Sequence, residues 1–445
     1  MRAEPVIART AAPAEGAWPA GVAPTEEFRA AHAYLREGSG HLFVTGRAGT
    51  GKSTLLKALR ELLDDKMVVV APTGLAAVNV GGQTIHSFFG LPPRLIRKDD
   101  IRRSRNGRIM RGLKFLVVDE VSMVRSDIMW AIDQSLRVNR GRAREPFGGV
   151  RLAMFGDLHQ LPPVIDEGEV AAHLETEHGG PFFFDVGALR EGAGTALIEL
   201  SQVFRQKDEA LLGVLNKVRD GDAGEDDLAV LNERVHPIRT LSEGEPYVIL
   251  VPTNAAARRI NAAYLEALAG RAMTYQAGVT GEFSESAQPT DASLVLKPGA
   301  KVMLLRNDPA GRWVNGTIAR VSRLESDQVW VEVGGEEHEI ERVSWENRRY
   351  AYDKEAESIV ATVAGTFKQF PLRLAWALTI HKSQGLTLDK VYIDLGRGTF
   401  AHGQAYVALS RCRTLEGLAL ARTLRPSDIL FDPAVMGYRR LFEPL

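Results

Sequence analysis

Cysteine is nearly absent from this chain of 445 residues, which has only Cys412. A single cysteine excludes an intramolecular disulfide and a cysteine-based zinc cluster, and it is typical of a reducing compartment, so we expect a cytoplasmic protein. Long hydrophobic runs are also absent. Stretches such as Met67–Ala71 are far shorter than the roughly 20 residues that cross a bilayer. We therefore expect no membrane partner.

Neither sign of charge is in excess, because the sequence has 55 Lys and Arg and 56 Asp and Glu, which gives a net charge of −1. Binding to a polyanion must therefore depend on local basic surface. Hydrophobic residues make up 45% of the chain and charged residues 25%, which is typical of a folded chain with two or three domains. The first 24 residues contain eight Ala and four Pro without an apolar signal-peptide core, and are expected to form a flexible leader.

Short apolar runs alternate with helical stretches in two parts of the chain. The first part has predicted strands at His41–Thr45, Met67–Pro72, Phe115–Asp119, Val150–Phe155 and Thr195–Leu200. The second begins with Tyr247–Pro252 and resumes with Arg373–Leu378. This alternation predicts parallel sheets with helices on both faces. Within the second part, residues 273–364 lack helical periodicity and show short alternating strands with glycine turns. This pattern predicts a small β-barrel inserted into the second part.

A glycine-rich segment, GRAGTGKS, follows the first predicted strand and matches the P-loop pattern. Backbone N–H groups of such a loop surround phosphates at a helix N-terminus, whereas a glycine-rich turn that matches by chance is the alternative. Lys52 would contact the β and γ phosphates, and Ser53 would ligate Mg²⁺. The predicted nucleotide-binding residues are Gly46, Ala48, Gly49, Thr50, Gly51, Lys52, Ser53, Thr54 and, from a distant loop, Gly385.

Two later strands end in polar side chains suited to hydrolysis. After FLVV, Asp119 would hold the hydration shell of Mg²⁺, and Glu120 would polarise the attacking water. The segment GDLHQLPP places Asp157 and Gln160 at the carboxyl edge of the same sheet, where Gln160 could sense the γ-phosphate. Each segment alone could be an ordinary loop, but their order after a P-loop predicts nucleotide hydrolysis.

Two arginines, Arg205 and Arg411, lie far downstream on or near predicted helices. Either could be an ordinary surface arginine, which is the usual fate of one. As a pair reaching across from a second domain, they could neutralise charge in the transition state. We therefore count both as candidate catalytic residues beside Lys52, Asp119 and Glu120, with Gln160 as a sensor.

Two loops that follow strands combine hydroxyls, cations and glycine, which suits contact with phosphate. The segment 94–114 holds nine Lys or Arg against two Asp, and 137–144 adds four Arg. Solvated surface explains such runs equally well. Beside Phe88 and Phe89, however, they suggest a groove that tracks a nucleic-acid backbone, with a stacking or wedge element. The predicted DNA-binding residues are Pro72, Thr73, Gly74, Ala76, His86, Phe88, Phe89, Thr253, Asn254, Thr379, His381, Lys382 and Ser383.

In this order, the motifs resemble those of superfamily-one DNA helicases, and they are most similar to the Pif family, class B of that superfamily. The resemblance covers about Glu27–Pro426 and is carried by VTGRAGTGKST, APTGLAA, LVVDEVSM, FGDLHQLPPV, LSQVFRQ, TIHKSQGLTLDKVYIDL and YVALSRCR, which resemble motifs I, Ia, II, III, IV, V and VI. The stretch VSMVRSDIMWAID also resembles the Pif signature.

The resemblance implies two RecA-like motor domains, with a small insertion in the first and a Src-homology-three-like β-barrel in the second. It also implies ATP and Mg²⁺ as cofactors, five-prime to three-prime translocation on single-stranded DNA, and roles in genome maintenance such as DNA repair, recombination and telomere maintenance. One departure is visible: the glutamine that reads adenine in the family is not evident in PTEEFRAAHAYL, before motif I.

The predicted organisation follows from these patterns and the resemblance. It comprises a leader (1–24), motor domain 1 (25–200, with the small insertion at about 86–112), motor domain 2 (201–272 and 365–435), the barrel (273–364) and a C-terminal tail (436–445). We expect an ATP-dependent DNA helicase that acts on single-stranded, duplex or forked DNA as a monomer, with self-association on DNA left open. The alternatives are a DNA-stimulated ATPase or translocase subunit that does not unwind, and a small-molecule P-loop kinase.

Overall fold

The computed structural model describes residues 18–63, 66–165, 168–203, 208–237, 247–353 and 358–445. Its first domain is built on a sheet in which all neighbouring strands are parallel. The strands are β1 (His41–Gly46), β2 (Met67–Ala71), β3 (Gln83–Thr84), β4 (Phe115–Val118), β5 (Arg151–Phe155) and β6 (Thr195–Leu200), joined by a short strand from the C-terminus. Their order is C-terminal strand, β6, β1, β5, β4, β2, β3.

Helices cover both faces of this sheet, as the apolar strands require. They are α1 (Glu26–Glu37), α2 (Lys52–Leu62), α3 (Gly74–Asn79), α4 (Ile85–Phe89), α5 (Gly107–Gly112), α6 (Ser126–Arg140) and α7 (Glu169–His178). All six residues of β1 are buried, and α2 packs Leu55, Leu56 and Leu59 into one core cluster with it. Trp18 also joins this cluster and packs against Phe28, so the end of the expected leader is part of the domain.

The expected small insertion at about 86–112 belongs to the core of the first domain. Phe88 is 0% and Phe89 4% exposed, and their rings pack edge to face with centroids 4.9 Å apart. Ile96 and Met110 join the same cluster. Both rings are enclosed by core side chains in this structure, and the stacking of Phe88 and Phe89 on DNA bases stays a prediction.

The second domain begins with α8 (Glu209–Asp220) and α9 (Glu225–Asn232), followed by β7 (Val248–Val251) and α10 (Asn254–Ala267). An inserted β region then comprises β8 (Met273–Gln276), β9 (Gly278–Gly281), β10 (Ser293–Leu296), β11 (Lys301–Leu304), β12 (Ile318–Leu324), β13 (Val329–Val333), β14 (Glu336–Ile340), β15 (Val343–Asp353), β16 (Ser358–Gln369) and β17 (Leu372–Leu374). Every strand pair in this region is antiparallel.

The inserted region continues beyond the expected end at residue 364. β17 pairs with β11 and closes the five-stranded sheet β14-β13-β12-β11-β17, so Arg373 belongs to this sheet and not to the second domain. The second domain resumes with β18 (Ala377–Thr379), β19 (Val391–Ile393), α11 (Gln404–Leu409) and β20 (Leu418–Leu420). Its parallel sheet has the order β18-β7-β19-β20.

The last residues return to the first domain through α12 (Pro433–Gly437) and β21 (Glu443–Pro444). β21 pairs in parallel with β6, and Tyr438 and Phe442 pack on Phe43 in the core. The segment expected as a tail over 436–445 therefore completes the first sheet. Among the described residues, no helix is long and apolar enough to cross a membrane.

Candidate active site

The P-loop connects β1 to α2 and presents the N-terminus of that helix. Gly49 and Gly51 have φ angles of 84° and 86°, in the left-handed region where glycine is unstrained. No acidic side chain lies in the first turn of α2, so its N–H groups and the helix dipole are available to an anion. The Nζ atom of Lys52 donates to the carbonyl oxygens of Gly46 at 2.6 Å and Arg47 at 3.1 Å. This cradle fits the phosphates of a nucleotide, with Lys52 placed at its mouth.

Asp119 and Glu120 follow β4 directly. The backbone N–H of Asp119 donates to the carbonyl of Val70 at 2.9 Å, which fixes the strand end. Burial, together with the charge of Glu120, raises the pKa of Asp119 to about 7. Burial also raises the pKa of Glu120, although the ammonium of Lys52 opposes it. Lys52 favours the ionised form of both carboxyl groups, and Ser53 lines the same cavity as Glu120, so a bound Mg²⁺ would stabilise these carboxylates further.

Glu120 is also held in an uncommon backbone conformation, with φ 49° and ψ 43°. A left-handed conformation is rare for a residue that carries a Cβ, and such strain concentrates at functional sites. Here the turn directs the chain away from β4 immediately after Asp119. The carboxylate of Glu120 lines the cavity that the P-loop borders.

Gln160 reaches the site from the loop after β5. Its side-chain amide donates to Asp157 Oδ2 at 2.9 Å, and Asp157 is 1% exposed. Burial alone would raise the pKa of Asp157, but Arg219 and Lys52 keep it below its ordinary value. The structure therefore gives Asp157 a charged role in holding Gln160, which its position in the sequence alone does not define.

Arg411 lies two residues after the end of α11 and is 1% exposed. Its guanidinium donates to the carbonyl oxygens of Val407, Ser383 and Leu386 at 2.8, 3.2 and 3.2 Å, and to Ser410 Oγ at 2.7 Å. Arg411 and Gly385 of the second domain line the same cavity as Lys52 of the first. Arg205, the other candidate, lies outside the described residues.

The cavity between the domains has a volume of about 960 Å³. One wall consists of Gly21, Val22, Ala23 and Phe28, residues that the sequence analysis did not select. The first glutamine in the sequence is Gln83, which follows the P-loop. Thr387, Arg413 and Thr414 were also missed, since no spacing rule distinguishes them from other loop residues.

The predicted DNA-contacting loops occupy corresponding positions after β2, β7 and β18. Thr73 and Thr253 cap α3 and α10 by accepting N–H hydrogen bonds at 3.2 Å, and both are exposed. Pro72, Gly74, Ala76 and His86 are partly exposed, and Asn254 is exposed. These loops therefore lie at the carboxyl edges of both sheets, where open α/β sheets bind ligands.

The third loop differs, because two of its predicted hydroxyl contacts are turned inward. Thr379 is 2% exposed and accepts the N–H of Lys382 at 3.2 Å. Ser383 is 0% exposed and donates to Ile380 O at 2.8 Å. Both hydroxyls therefore shape the turn in this structure, and contact of Thr379 and Ser383 with DNA stays a prediction. His381 is partly exposed and Lys382 exposed.

The sequence matches the model of the PIF1-like helicase family over residues 26–222. It is 36% identical over 423 residues to the ATP-dependent DNA helicase Pif1 of Bdellovibrio bacteriovorus, covering 92% of this chain and 90% of the relative. This chain belongs to the PIF1-like helicase family. It is therefore an ATP-dependent helicase, which confirms the predicted family and enzyme class and excludes the small-molecule kinase.

The helicase is also 31% identical to the human ATP-dependent DNA helicase PIF1, covering 89% of this chain but 60% of that relative. Its fold is similar to the unliganded Pif1 from Bacteroides sp, with a TM-score of 0.86, 38% identity and coverage of 94% and 97% of the two chains. The predicted fold class, α/β with an inserted β region, is confirmed. Against a Bacteroides Pif1 in complex with ADP-AlF3 and ssDNA, at 37% identity and the same coverage, the TM-score is 0.67.

Proposed function

We propose that this chain is an ATP- and Mg²⁺-dependent DNA helicase that moves five-prime to three-prime along single-stranded DNA and unwinds duplex or forked DNA. The observation that carries the proposal is the composition of the interdomain cavity. Lys52, Glu120 and Gln160 come from the first domain, and Arg411 comes from the second. A hydrolytic site assembled from two domains links each ATP turnover to their relative position.

The residues of the chain divide the chemistry among them. The backbone N–H groups around Gly49 and Gly51 and the ammonium of Lys52 would hold the phosphates. Ser53 and Asp119 would hold Mg²⁺, which supplies charge neutralisation at the phosphates when bound. Glu120 would orient the attacking water and accept its proton. Arg411 would neutralise the charge that develops in the transition state.

The second domain would transmit movement from the ATP site to the DNA, because Arg411 is hydrogen-bonded to the loop that we expect to contact DNA. Its guanidinium donates to the carbonyls of Ser383 and Leu386, which flank the nucleotide-facing Gly385. His381 and Lys382 precede Ser383 in the same loop. A shift of Arg411 toward the phosphates therefore displaces the backbone that carries these two side chains.

DNA binding is supported by the exposed basic segment and by the solved relatives. Arg102, Arg103 and Arg105 are exposed on the first domain, as phosphate contacts require. Related Bacteroides helicases have been solved bound to ssDNA and, as two coordinating Pif1 helicases, at forked dsDNA. We infer single-stranded and forked DNA as partners of this chain, with two copies able to act at one fork, in genome maintenance.

The test of this proposal is a pair of measurements on the purified chain with Mg²⁺. ATP hydrolysis should increase when single-stranded DNA is added, and the strands of a forked duplex should separate only in the presence of ATP. DNA-stimulated hydrolysis without strand separation would favour the alternative of a translocase subunit. A rate of ATP hydrolysis that does not change when DNA is added would contradict the proposal.

A further inference from the structure

Arg219 lies at the boundary between the two domains with its side chain enclosed. It is in the last turn of α8, in the second domain, and is 3% exposed. Its Nη2 atom lies 3.3 Å from Glu199 Oε1 and 3.8 Å from Asp157 Oδ1, and both carboxylates belong to the first domain. A buried guanidinium requires such partners to offset its desolvation. Arg219 therefore extends a charge of the second domain into the loop that carries Gln160.

Asp157 organises that loop through both of its carboxylate oxygens. Oδ1 accepts the N–H of His159 at 3.2 Å, and Oδ2 accepts the side-chain amide of Gln160 at 2.9 Å. Burial, the largest influence, lowers the pKa of Arg219, yet Asp157, assisted by Tyr406 and Glu199, reverses this effect and the pKa is raised. The pair is thus mutually stabilised, and the amide of Gln160 is held at the edge of the cavity by a charged acceptor.

The second domain contacts the same loop from another side. His402 Nδ1 accepts the N–H of Asp432 at 2.9 Å, so Nε2 carries the hydrogen and donates to Leu158 O at 3.0 Å. At Gly403, a Cβ atom would lie 2.4 Å from the carbonyl oxygen of Gln160. The loop is therefore enclosed by two separate parts of the second domain, and its shape depends on where that domain lies.

We propose that Arg219 is a positioning residue for ATP hydrolysis, because its pairing with Asp157 across the domain boundary fixes the amide of Gln160 in the site when the domains adopt this arrangement. The inference rests on the proposed function and on the predicted role of Gln160 as the sensor of the γ-phosphate. An interaction that matters in the transition state changes kcat more than KM. Loss of Arg219 should therefore slow hydrolysis without weakening ATP binding to the same extent.

Arg439 provides a matched control on the same carboxylate. Its Nη2 atom lies 3.0 Å from Glu199 Oε1, and its side chain is 52% exposed. Among the ion pairs of the described residues, Arg439 makes none with Asp157. An exposed pair of this kind contributes little to stability. The Arg439 variant therefore controls for loss of a contact with Glu199, whereas the contact with Asp157 is lost only in the Arg219 variants.

The experiment measures DNA-stimulated ATP hydrolysis and thermal unfolding of the full chain as wild type, Arg219→Gln, Arg219→Lys and Arg439→Gln. We expect kcat of Arg219→Gln to fall by on the order of tenfold or more, because small displacements of a positioned group are costly. KM for ATP should stay within about twofold. Arg219→Lys, which keeps the charge, should recover part of the loss, and Arg439→Gln should match wild type. Wild-type kcat in Arg219→Gln, or a raised KM at unchanged kcat, would overturn the proposal.

A double variant keeps the test decisive if Arg219→Gln also lowers the unfolding temperature. Asp157→Asn removes the carboxylate that Arg219 neutralises, so Arg219→Gln should cost little further kcat in the Asp157→Asn background. Reductions in kcat that simply multiply would show that the two residues act independently and would overturn the inference. If DNA did not stimulate ATP hydrolysis by the wild-type chain, the proposed function itself would be contradicted. Failure of the Arg219 inference and failure of the proposed function are therefore distinguishable.

Discussion

The phenol of Tyr350, on β15 of the inserted region, is hydrogen-bonded to both backbone polar atoms of Val69 on β2. Its oxygen accepts the N–H of Val69 at 3.0 Å and donates to the carbonyl at 3.4 Å. The two-residue strand β3 pairs only with Val70 and Ala71 of β2. The phenol therefore provides the hydrogen-bond partner that β3 does not provide to the backbone N–H and C=O of Val69. The inserted region is thereby attached to the strand that leads into the loop of Thr73.

Tyr350→Phe tests this attachment. The variant keeps the ring but leaves the Val69 N–H and C=O without this partner, so we expect the free energy of unfolding to fall by about 1–3 kcal/mol. Thermal and denaturant unfolding measure the change. Tyr352→Phe is the matched control, because the Tyr352 ring packs against the guanidinium of Arg108 at 4.9 Å and that contact does not use the hydroxyl. Equal stability of the Tyr350→Phe variant and wild type would contradict the edge-satisfying role.

Lys52→Ala and Glu120→Gln should both abolish turnover but differ in ATP binding. Lys52 is placed to contact phosphates in the ground state, whereas Glu120 acts mainly in the chemical step. The Glu120→Gln variant should therefore still bind ATP, as measured by equilibrium titration with a fluorescent nucleotide. If both variants lose affinity equally, the assigned division of roles is incorrect.

Arg411→Ala should reduce DNA-stimulated ATP turnover by on the order of a thousandfold, as for arginines that neutralise transition-state charge. Affinity for single-stranded DNA without nucleotide should fall far less than turnover, because His381 and Lys382 keep their own side chains. Arg413→Ala is a control, since Arg413 also lines the cavity but pairs with Asp389 at 3.0 Å. Wild-type turnover in Arg411→Ala would mean that the hydrolytic site is built within one domain.

The exposed arginines of the first domain should set the salt dependence of DNA binding. Replacing Arg102, Arg103 and Arg105 together by glutamine should weaken binding to single-stranded DNA. The slope of log affinity against log salt should become shallower by about 0.7 for each phosphate that these arginines neutralise in the wild type. ATP hydrolysis without DNA should be spared. Arg36→Gln, at an exposed arginine on α1, is the control variant. An unchanged slope in the triple variant would assign these arginines to solvated surface.

Acid should destabilise the chain partly through His41. Burial and then Arg151 lower the pKa of His41 to about 4, and its Nδ1 accepts the N–H of Leu152 at 3.1 Å. Because the unfolded histidine has a pKa near 6.5, the unfolded state binds the proton first, and stability falls as pH drops from 6.5 toward 4 by up to about 3 kcal/mol. His41→Asn can keep an acceptor without titrating, so its unfolding free energy should depend less on pH in this window. Identical pH dependence in both proteins would exclude His41 as a source.

The sequence predicted the parts of the site that are formed locally. The P-loop, Asp119 and Glu120 each follow a buried strand, and the strand–loop–helix pattern determines where they lie. Arg219 could not be found in this way, because a lone arginine in a helix reveals neither its burial nor its partners. Its partners Asp157 and Glu199 come from another domain, and only the assembled fold brings the three together.

The structure differs from the sequence-based expectations where tertiary packing determines the environment of a residue. Phe88 and Phe89 have the same local pattern whether they face DNA or a core, and contact with Tyr350 from the inserted region places Phe88 inside. The hydroxyl of Ser383 satisfies its own turn. The C-terminal residues lack a strong strand pattern, yet β6 offers them an open sheet edge.

The most direct test of the account compares the unwinding of two duplexes that differ only in the polarity of a single-stranded tail. With ATP and Mg²⁺, the chain should separate the duplex with a five-prime tail and leave the duplex with a three-prime tail largely intact, while Glu120→Gln separates neither. Separation of the three-prime-tailed duplex alone would contradict the proposed direction. Failure to separate either duplex, with DNA-stimulated ATP hydrolysis intact, would contradict unwinding itself.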